Sequence, residues 1–120
     1  MTKRDPLLYL DDIVENIDHI LKYTAGHERE QLFGDEVLQA AIARWTEIIG
    51  EAANHVPKSI QRKHSEVDWQ MLVTARHLLI HGYFRIDYDR LWDIVTIELP
   101  DAAPKVRAIR DALHAKRQTS

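Results

Sequence analysis

The sequence predicts an all-α fold, an antiparallel up-down bundle of four to five helices. Only four glycines and four prolines interrupt the 120 residues, and the segments between them carry apolar residues at spacings of three and four. Such spacing places the apolar side chains on one face of a helix. Because no repeat, low-complexity run or long linker divides the chain, we expect one domain over residues 1–120.

Two long helices are predicted in the first half of the chain. The first covers about residues 6–24, where Asp5 is placed to cap it, and the second covers about 35–55, where Pro57 prevents further helix. A short turn of helix is predicted over 59–64. The apolar stripes of the two long helices are Leu10, Ile13, Ile17 and Ile20, and Leu38, Ala41, Ile42, Trp45, Ile48, Ile49 and Ala52.

Further helices are predicted in the second half. Asp68 is placed to cap a third long helix that ends near Gly82, a residue type typical of helix C-termini. Asp87 is placed to cap a fourth helix that ends at Pro100, and a final short helix follows over about 105–116. The stripes that the third and fourth helices would bury are Trp69, Leu72, Val73, Leu79 and Ile80, and Leu91, Ile94, Val95 and Leu99.

The composition predicts a soluble, cytoplasmic protein that does not enter a membrane. Hydrophobic residues make up 45% and charged residues 29% of the chain. No apolar run approaches the roughly 20 residues that cross a bilayer, and the N-terminus lacks the apolar centre of a signal peptide. The absence of cysteine excludes disulfides and thiolate metal sites. A net charge of −3 argues against binding nucleic acid through overall charge, so local charge must serve instead.

Basic residues near the C-terminus allow two interpretations. Arg107, Arg110 and His114 fall on one stripe of the last predicted helix. They could form a track for RNA, but a solvated helix face is the favoured interpretation.

The segment 75–83 carries side chains that a core helix does not need. Arg76 presents a planar fork of donors that suits a phosphate, and His77 or His81 can move a proton near neutral pH, since the unperturbed pKa of histidine is about 6.5. Together these groups suffice to cleave RNA without a metal. His77 and His81 also have the spacing of a zinc-binding pair. No glutamate lies between them in the metalloprotease pattern and no third ligand is evident, so we expect no metal.

The same residues resemble the Arg-x4-His-x-Tyr signature of the HEPN superfamily, and most closely its HepT-like ribonuclease toxins. His77 stands where these toxins often have Asn, and we assign it a supporting role. Further motifs of the family are found in order over about residues 7–100: Tyr9-Leu10-Asp11-Asp12-Ile13, Ile49-Gly50-Glu51-Ala52, Asp68-Trp69, His81-Gly82-Tyr83, Asp87 and Leu91-Trp92.

The resemblance implies a metal-independent endoribonuclease that needs no cofactor and acts on RNA as a homodimer. On one helix, Arg76 and His81 would diverge by about 140° with about 7.5 Å of rise, so two copies paired about a two-fold axis would bring both motifs into one cleft. The geometry permits this arrangement without requiring it. His81 would accept the proton of a ribose 2′-hydroxyl while Arg76 holds the phosphate. The products of this cleavage would be a 2′,3′-cyclic phosphate and a 5′-hydroxyl.

The resemblance also implies a toxin–antitoxin pair, in which a nucleotidyltransferase antitoxin of the MNT type adenylylates Tyr83. The plain interpretation of Tyr83 is a half-buried tyrosine at a helix end. Glu51 is a further candidate for the cleft, against the alternative of a solvent-facing helix edge. Trp45, Trp69 and Trp92 are predicted to be core or dimer contacts. The rival to the enzyme is a HEPN module without catalysis that binds RNA, a nucleotide or the nucleotidyltransferase.

Overall fold

The structure is a computed structural model that describes residues 5–80 and 85–119. Helices form most of this part of the chain, and one pair of short strands interrupts them. The elements in order are α1 (Pro6–Thr24), α2 (Arg29–Phe33), α3 (Glu36–His55), α4 (Lys58–Lys63), α5 (Trp69–Thr74), β1 (Leu79–Ile80), β2 (Arg85–Ile86), α6 (Tyr88–Asp93), a π-helical turn (Ile94–Glu98) and α7 (Leu99–Thr119). The predicted all-α fold is confirmed, and α2 is an addition that the sequence reasoning did not make.

Aspartate side chains fix where four of these helices begin. Each carboxylate accepts a hydrogen bond from a backbone N–H of the first turn, a group that has no partner within the helix. The caps are Asp5 for α1, Asp35 for α3, Asp68 for α5 and Asp87 for α6, at 2.9 to 3.1 Å. Asp5, Asp68 and Asp87 were predicted to be caps from the sequence, and all three are confirmed.

The core lies around α1, which runs antiparallel to both α3 and α7. The Tyr9 ring near the start of α1 stacks on His55 at the end of α3, and Tyr23 stacks on Trp45 earlier in α3. All members of the predicted α1 stripe are fully buried: Leu10, Ile13, Ile17 and Ile20. Trp69 is buried as well, and its Nε1 donates to the His64 carbonyl at 3.0 Å. No helix in the described part of the chain is long and apolar enough to cross a membrane.

The third predicted helix is wrong in its second half. α5 ends at Thr74, and the chain then turns through residues 75–78 before it forms β1. β1 pairs antiparallel with β2, Leu79 opposite Ile86, and the Leu78 carbonyl accepts a hydrogen bond from the Asp87 N–H at 2.7 Å. These bonds to the following segment replace the bonds that a continued helix would make within itself. The predicted end near Gly82 lies outside the described residues.

The predicted helix end at Pro100 is also wrong. Helical structure continues from α6 through the π-helical turn into α7, which contains both Pro100 and Pro104. At the junction the Leu99 N–H bonds to the Ile94 carbonyl, five residues back. Pro100 is tolerated because it is the second residue of α7, close to the π-helical turn, where the regular hydrogen-bond pattern is already changed. The final helix therefore begins at Leu99 rather than near residue 105.

Candidate functional site

Arg76 lies in the turn after α5 and is held against α3 at Gly50. A Cβ atom on Gly50 would come within 2.8 Å of the Val73 carbonyl oxygen and 3.3 Å of the Arg76 Cδ atom. The missing side chain therefore lets the end of α5 approach α3 closely, and the aliphatic part of Arg76 lies over the gap. Arg76 remains exposed overall, so its guanidinium is presented to solvent from a fixed stem.

A groove of about 1240 Å³ opens beside this turn. One wall is the first half of α3, and the other is formed by Arg76, His77 and the segment 85–89, which includes β2 and the start of α6. The α3 residues that line it are Glu36, Gln39, Ala40, Ala43, Arg44 and Glu47. A volume of this size exceeds what a single ion occupies.

The acidic residues of the groove mostly have partners already. Glu47 lies 3.6 Å from Arg44, and Asp89 lies 2.7 Å from Arg29. Asp87 accepts the Arg90 N–H as the cap of α6. Glu36 lies in the first turn of α3, where the helix dipole favours a negative charge.

Two arginines of the groove, Arg76 and Arg85, are not neutralised as Arg44 is by Glu47. Among residues 5–80 and 85–119, Arg76 and Arg85 have no acidic partner. The groove therefore presents unpaired positive charge at the turn and at β2, beside the carboxylates of Glu36 and Asp87, which have no cationic partner among the described residues. Guanidinium groups in such a position suit phosphates, which they bind through paired hydrogen bonds.

The structure brings Arg76 and His77 together in one groove wall. Because both lie in a turn, the rotation and rise of a helix no longer describe how Arg76 relates to the residues that follow. His81 and Tyr83 lie outside the described residues. Glu51 stands one turn beyond Glu47 on α3, with its carboxylate 3.7 Å from His55 Nδ1, and it is not among the residues that line the groove.

Sequence reasoning missed most of the residues that line this groove. Glu47, Arg85 and Tyr88 were not singled out, although Arg85 and Tyr88 follow the Arg-x4-His-x-Tyr segment closely in sequence. That proximity was the available signal. Within the described residues, no group of three or more histidine or acidic side chains could hold a metal ion.

The described fold is built mainly of helices, and its groove is lined by Arg76 in the turn after α5 and by Arg85 in β2. Comparison with family models then identifies the family: residues 13–109 match the model described as Ribonuclease HepT-like. The chain belongs to this HepT-like ribonuclease family, and the resemblance seen in the sequence is confirmed.

Relatives of known name agree with this assignment. The chain is 36% identical over 108 residues to "Probable ribonuclease HepT" of Thermococcus cleftensis. The aligned region covers 90% of this chain and 98% of the relative. It is 32% identical over 120 residues to "Putative RNase MJ1216" of Methanocaldococcus jannaschii, with 100% of this chain and 99% of the relative covered. Comparison with solved structures gives no match.

Proposed function

We propose that the chain is a metal-independent endoribonuclease toxin whose active site is the groove beside Arg76. The observation that carries the proposal is the exposed Arg76 guanidinium, which has no acidic partner among the described residues and is held over Gly50 at the groove wall. Membership of the HepT-like ribonuclease family supports RNA as the substrate.

In the proposed reaction, Arg76 binds the scissile phosphate and stabilises the charge that develops on it. His81 of one protomer accepts the proton of the ribose 2′-hydroxyl, and the 2′-oxygen then attacks the phosphorus. A second acid, His81 of the partner protomer, donates a proton to the departing 5′-oxygen. The products are a 2′,3′-cyclic phosphate and a 5′-hydroxyl. His77 has a supporting role, because it follows Arg76 in the same groove wall.

The proposed dimer would provide both a base and an acid, since each chain has one Arg-x4-His segment, although the chemistry permits this arrangement without requiring it. Sedimentation at micromolar concentration should give about twice the 14.0 kDa of the chain. A strictly monomeric protein with full activity would exclude a site shared between two copies.

We further propose that a nucleotidyltransferase antitoxin of the MNT type silences the enzyme by adenylylating Tyr83. Tyr83 stands two residues before Arg85, which lines the groove. A nucleotide phosphate on Tyr83 would then compete with the RNA phosphate for the groove's arginines. Co-expression with the partner and intact mass spectrometry test this. A mass raised by whole adenylate units is expected for the wild type and not for Tyr83→Phe, and suppressed activity at unchanged mass would mean inhibition by binding alone.

The activity itself is tested by incubating the unmodified protein with labelled RNA in the presence of a chelator. Wild type should cleave, Arg76→Ala and His81→Ala should not, and Arg62→Ala should cleave as wild type does, because Arg62 lies on α4 outside the groove. An oligonucleotide with a 2′-deoxy group at the cleaved position should resist. A protein that binds RNA but never cleaves it would instead be the non-catalytic binding module, and a requirement for a divalent metal would overturn the mechanism.

A further inference from the structure

We infer that Arg85 and Tyr88 form a second nucleotide subsite in the groove. In this subsite Arg85 binds the phosphate that neighbours the scissile one, and the Tyr88 ring stacks on the adjoining base. The inference rests on the proposed ribonuclease function and identifies what part of the substrate the groove holds beyond the reacting phosphate.

The position of Arg85 is fixed on both sides. Its backbone pairs with Ile80 in the strand ladder, and two residues later Asp87 caps α6. The next residue, Ile86, is half-buried and packs against the core. Since successive side chains of a strand point to opposite faces, this burial directs Arg85 away from the core. Arg85 is exposed and lines the same groove as Arg76.

Tyr88 offers an aromatic face that is supported from behind. Its ring lies 4.8 Å from the Phe33 ring between centroids, and Phe33 in turn meets Trp92 edge to face. Arg29 lies over Phe33 and pairs with Asp89, which holds α2 against the start of α6. Tyr88 nevertheless remains 41% exposed and lines the groove. A large aromatic ring held in this way at a groove wall suits stacking on a nucleic-acid base.

RNA fits this wall better than another protein surface does. A protein partner would have to supply an acid for both Arg76 and Arg85, or leave their charges unpaired on burial, which is costly. A nucleic-acid strand supplies a phosphate at each nucleotide and a base beside it. Basic side chains together with an exposed aromatic ring in one groove are the combination that binds single strands without strict sequence preference.

Binding can be measured apart from catalysis with an all-2′-deoxy oligonucleotide, which the proposed mechanism cannot cleave. For single strands the slope of log affinity against log salt is about −0.7 for each phosphate contact. Arg85→Ala should weaken binding and reduce this slope by about 0.7, whereas Arg85→Lys should keep the slope. Tyr88→Ala should weaken binding about 10-fold with the slope unchanged, and Tyr88→Phe should bind as wild type does. Arg62→Ala serves as the control, because it removes the same charge at a position outside the groove.

Cleavage gives a second, independent measurement. With a dinucleoside monophosphate, which has only the scissile phosphate, Arg85→Ala should act like the wild type. With a longer RNA its KM should rise about 10-fold at unchanged kcat, because only the second phosphate contact is lost. A wild type that does not cleave would overturn the proposed function but leave the binding measurement valid. The subsite itself is overturned if Arg85→Ala matches Arg62→Ala in salt slope, or if it changes sedimentation instead, which would make this wall a contact between copies.

Discussion

Two groups of arginines in this molecule have different surroundings. Those of α7 face α1 and pair with carboxylates of that helix and its cap, whereas two of the three groove arginines have no acidic partner among the described residues. The α7 pairs are Arg107 with Asp18, Arg110 with Asp11 and Arg117 with Asp5. The two groove arginines without such a partner are Arg76 and Arg85, while the third, Arg44, lies 3.6 Å from Glu47. A high density of basic residues therefore does not mark the site in this fold. What distinguishes the proposed site is that two arginines without an acidic partner among the described residues line one groove, since Arg62 on α4 also lacks such a partner but lies outside it.

The comparison also bears on the net charge of −3. Because the α7 arginines are largely neutralised within the molecule, they offer little to an RNA strand. The stripe of Arg107, Arg110 and His114 is accordingly better described as a charged helix face than as a track for RNA. In the proposed function, the two guanidinium groups of the groove without an acidic partner would supply the local charge that binding to RNA requires.

The largest expected effect is that of Arg76→Ala. Loss of a group that stabilises the developing charge should lower kcat about 10²–10³-fold. The melting temperature should stay close to that of the wild type, because Arg76 is exposed. Arg107→Ala is the matched variant from the other group and should cleave at the wild-type rate. Steady-state kinetics and thermal unfolding of both variants decide the matter, and equal losses of activity would break the distinction between the two groups.

Gly50→Ala should have the second largest effect, because the close approach at Gly50 holds Arg76 in position. Helix propensity alone predicts that alanine at this position within α3 stabilises the protein by about 1 kcal/mol. The clash with the Val73 carbonyl should reverse that sign and lower the free energy of unfolding by about 1–3 kcal/mol, and activity should fall as Arg76 is displaced. Gly34→Ala is the control, because the nearest atom to its added Cβ lies at 3.4 Å. Urea unfolding measures both, and a stabilised, fully active Gly50→Ala would show that the close approach is unimportant.

The α7 pairs should contribute little individually. A double-mutant cycle on Asp18 and Arg107 should give a coupling of about 0.2–1 kcal/mol, smaller at high salt, since both side chains are about half exposed. Denaturant unfolding of the two single variants and the double variant provides the cycle. A coupling of several kcal/mol would mean that the contact between α1 and α7 depends on this charge pair rather than on apolar burial.

The smallest expected effect is that of the α7 arginines on RNA binding. A double variant with Arg107→Ala and Arg117→Ala should leave the salt slope for a single-stranded oligonucleotide unchanged. A slope reduced as much as by Arg85→Ala would restore the RNA track on α7 as a real part of the interface.

Elements that depend on nearby residues were predictable from sequence. α1 follows from Asp5, Pro6 and an unbroken apolar stripe, all within one segment, and the predicted range agrees with the structure. The turn at 75–78 was not predictable in this way. It depends on bonds between Leu78 and Asp87, and no local pattern shows that these residues pair. The continuous helix at Pro100 depends likewise on where in the helix the proline falls.

The site was predictable only in part, for a related reason. The chemistry of Arg76 and His77 could be inferred from their side chains and from the motif. The opposite wall of the groove comes from α3, distant in sequence, and Glu47 has no feature that marks it before the fold is known. Arg85 differs from the arginines of α7 in lining the groove and in having no acidic partner among the described residues. That difference exists in three dimensions and not in the sequence pattern.

The antiparallel contact between α1 and α7 has a consequence for synthesis on the ribosome. Asp18 and Arg107 are 89 residues apart in the chain. α1 can therefore pack against α7 only after α7 has been synthesised. Until α7 emerges, the side of α1 that it covers is open to water, and a nascent chain exposes apolar surface that other proteins can bind. The groove is built from α3 and residues 76–89, which are translated earlier. Its stable assembly nevertheless depends on a core that only α7 completes, so an unfinished chain should be a poor nuclease.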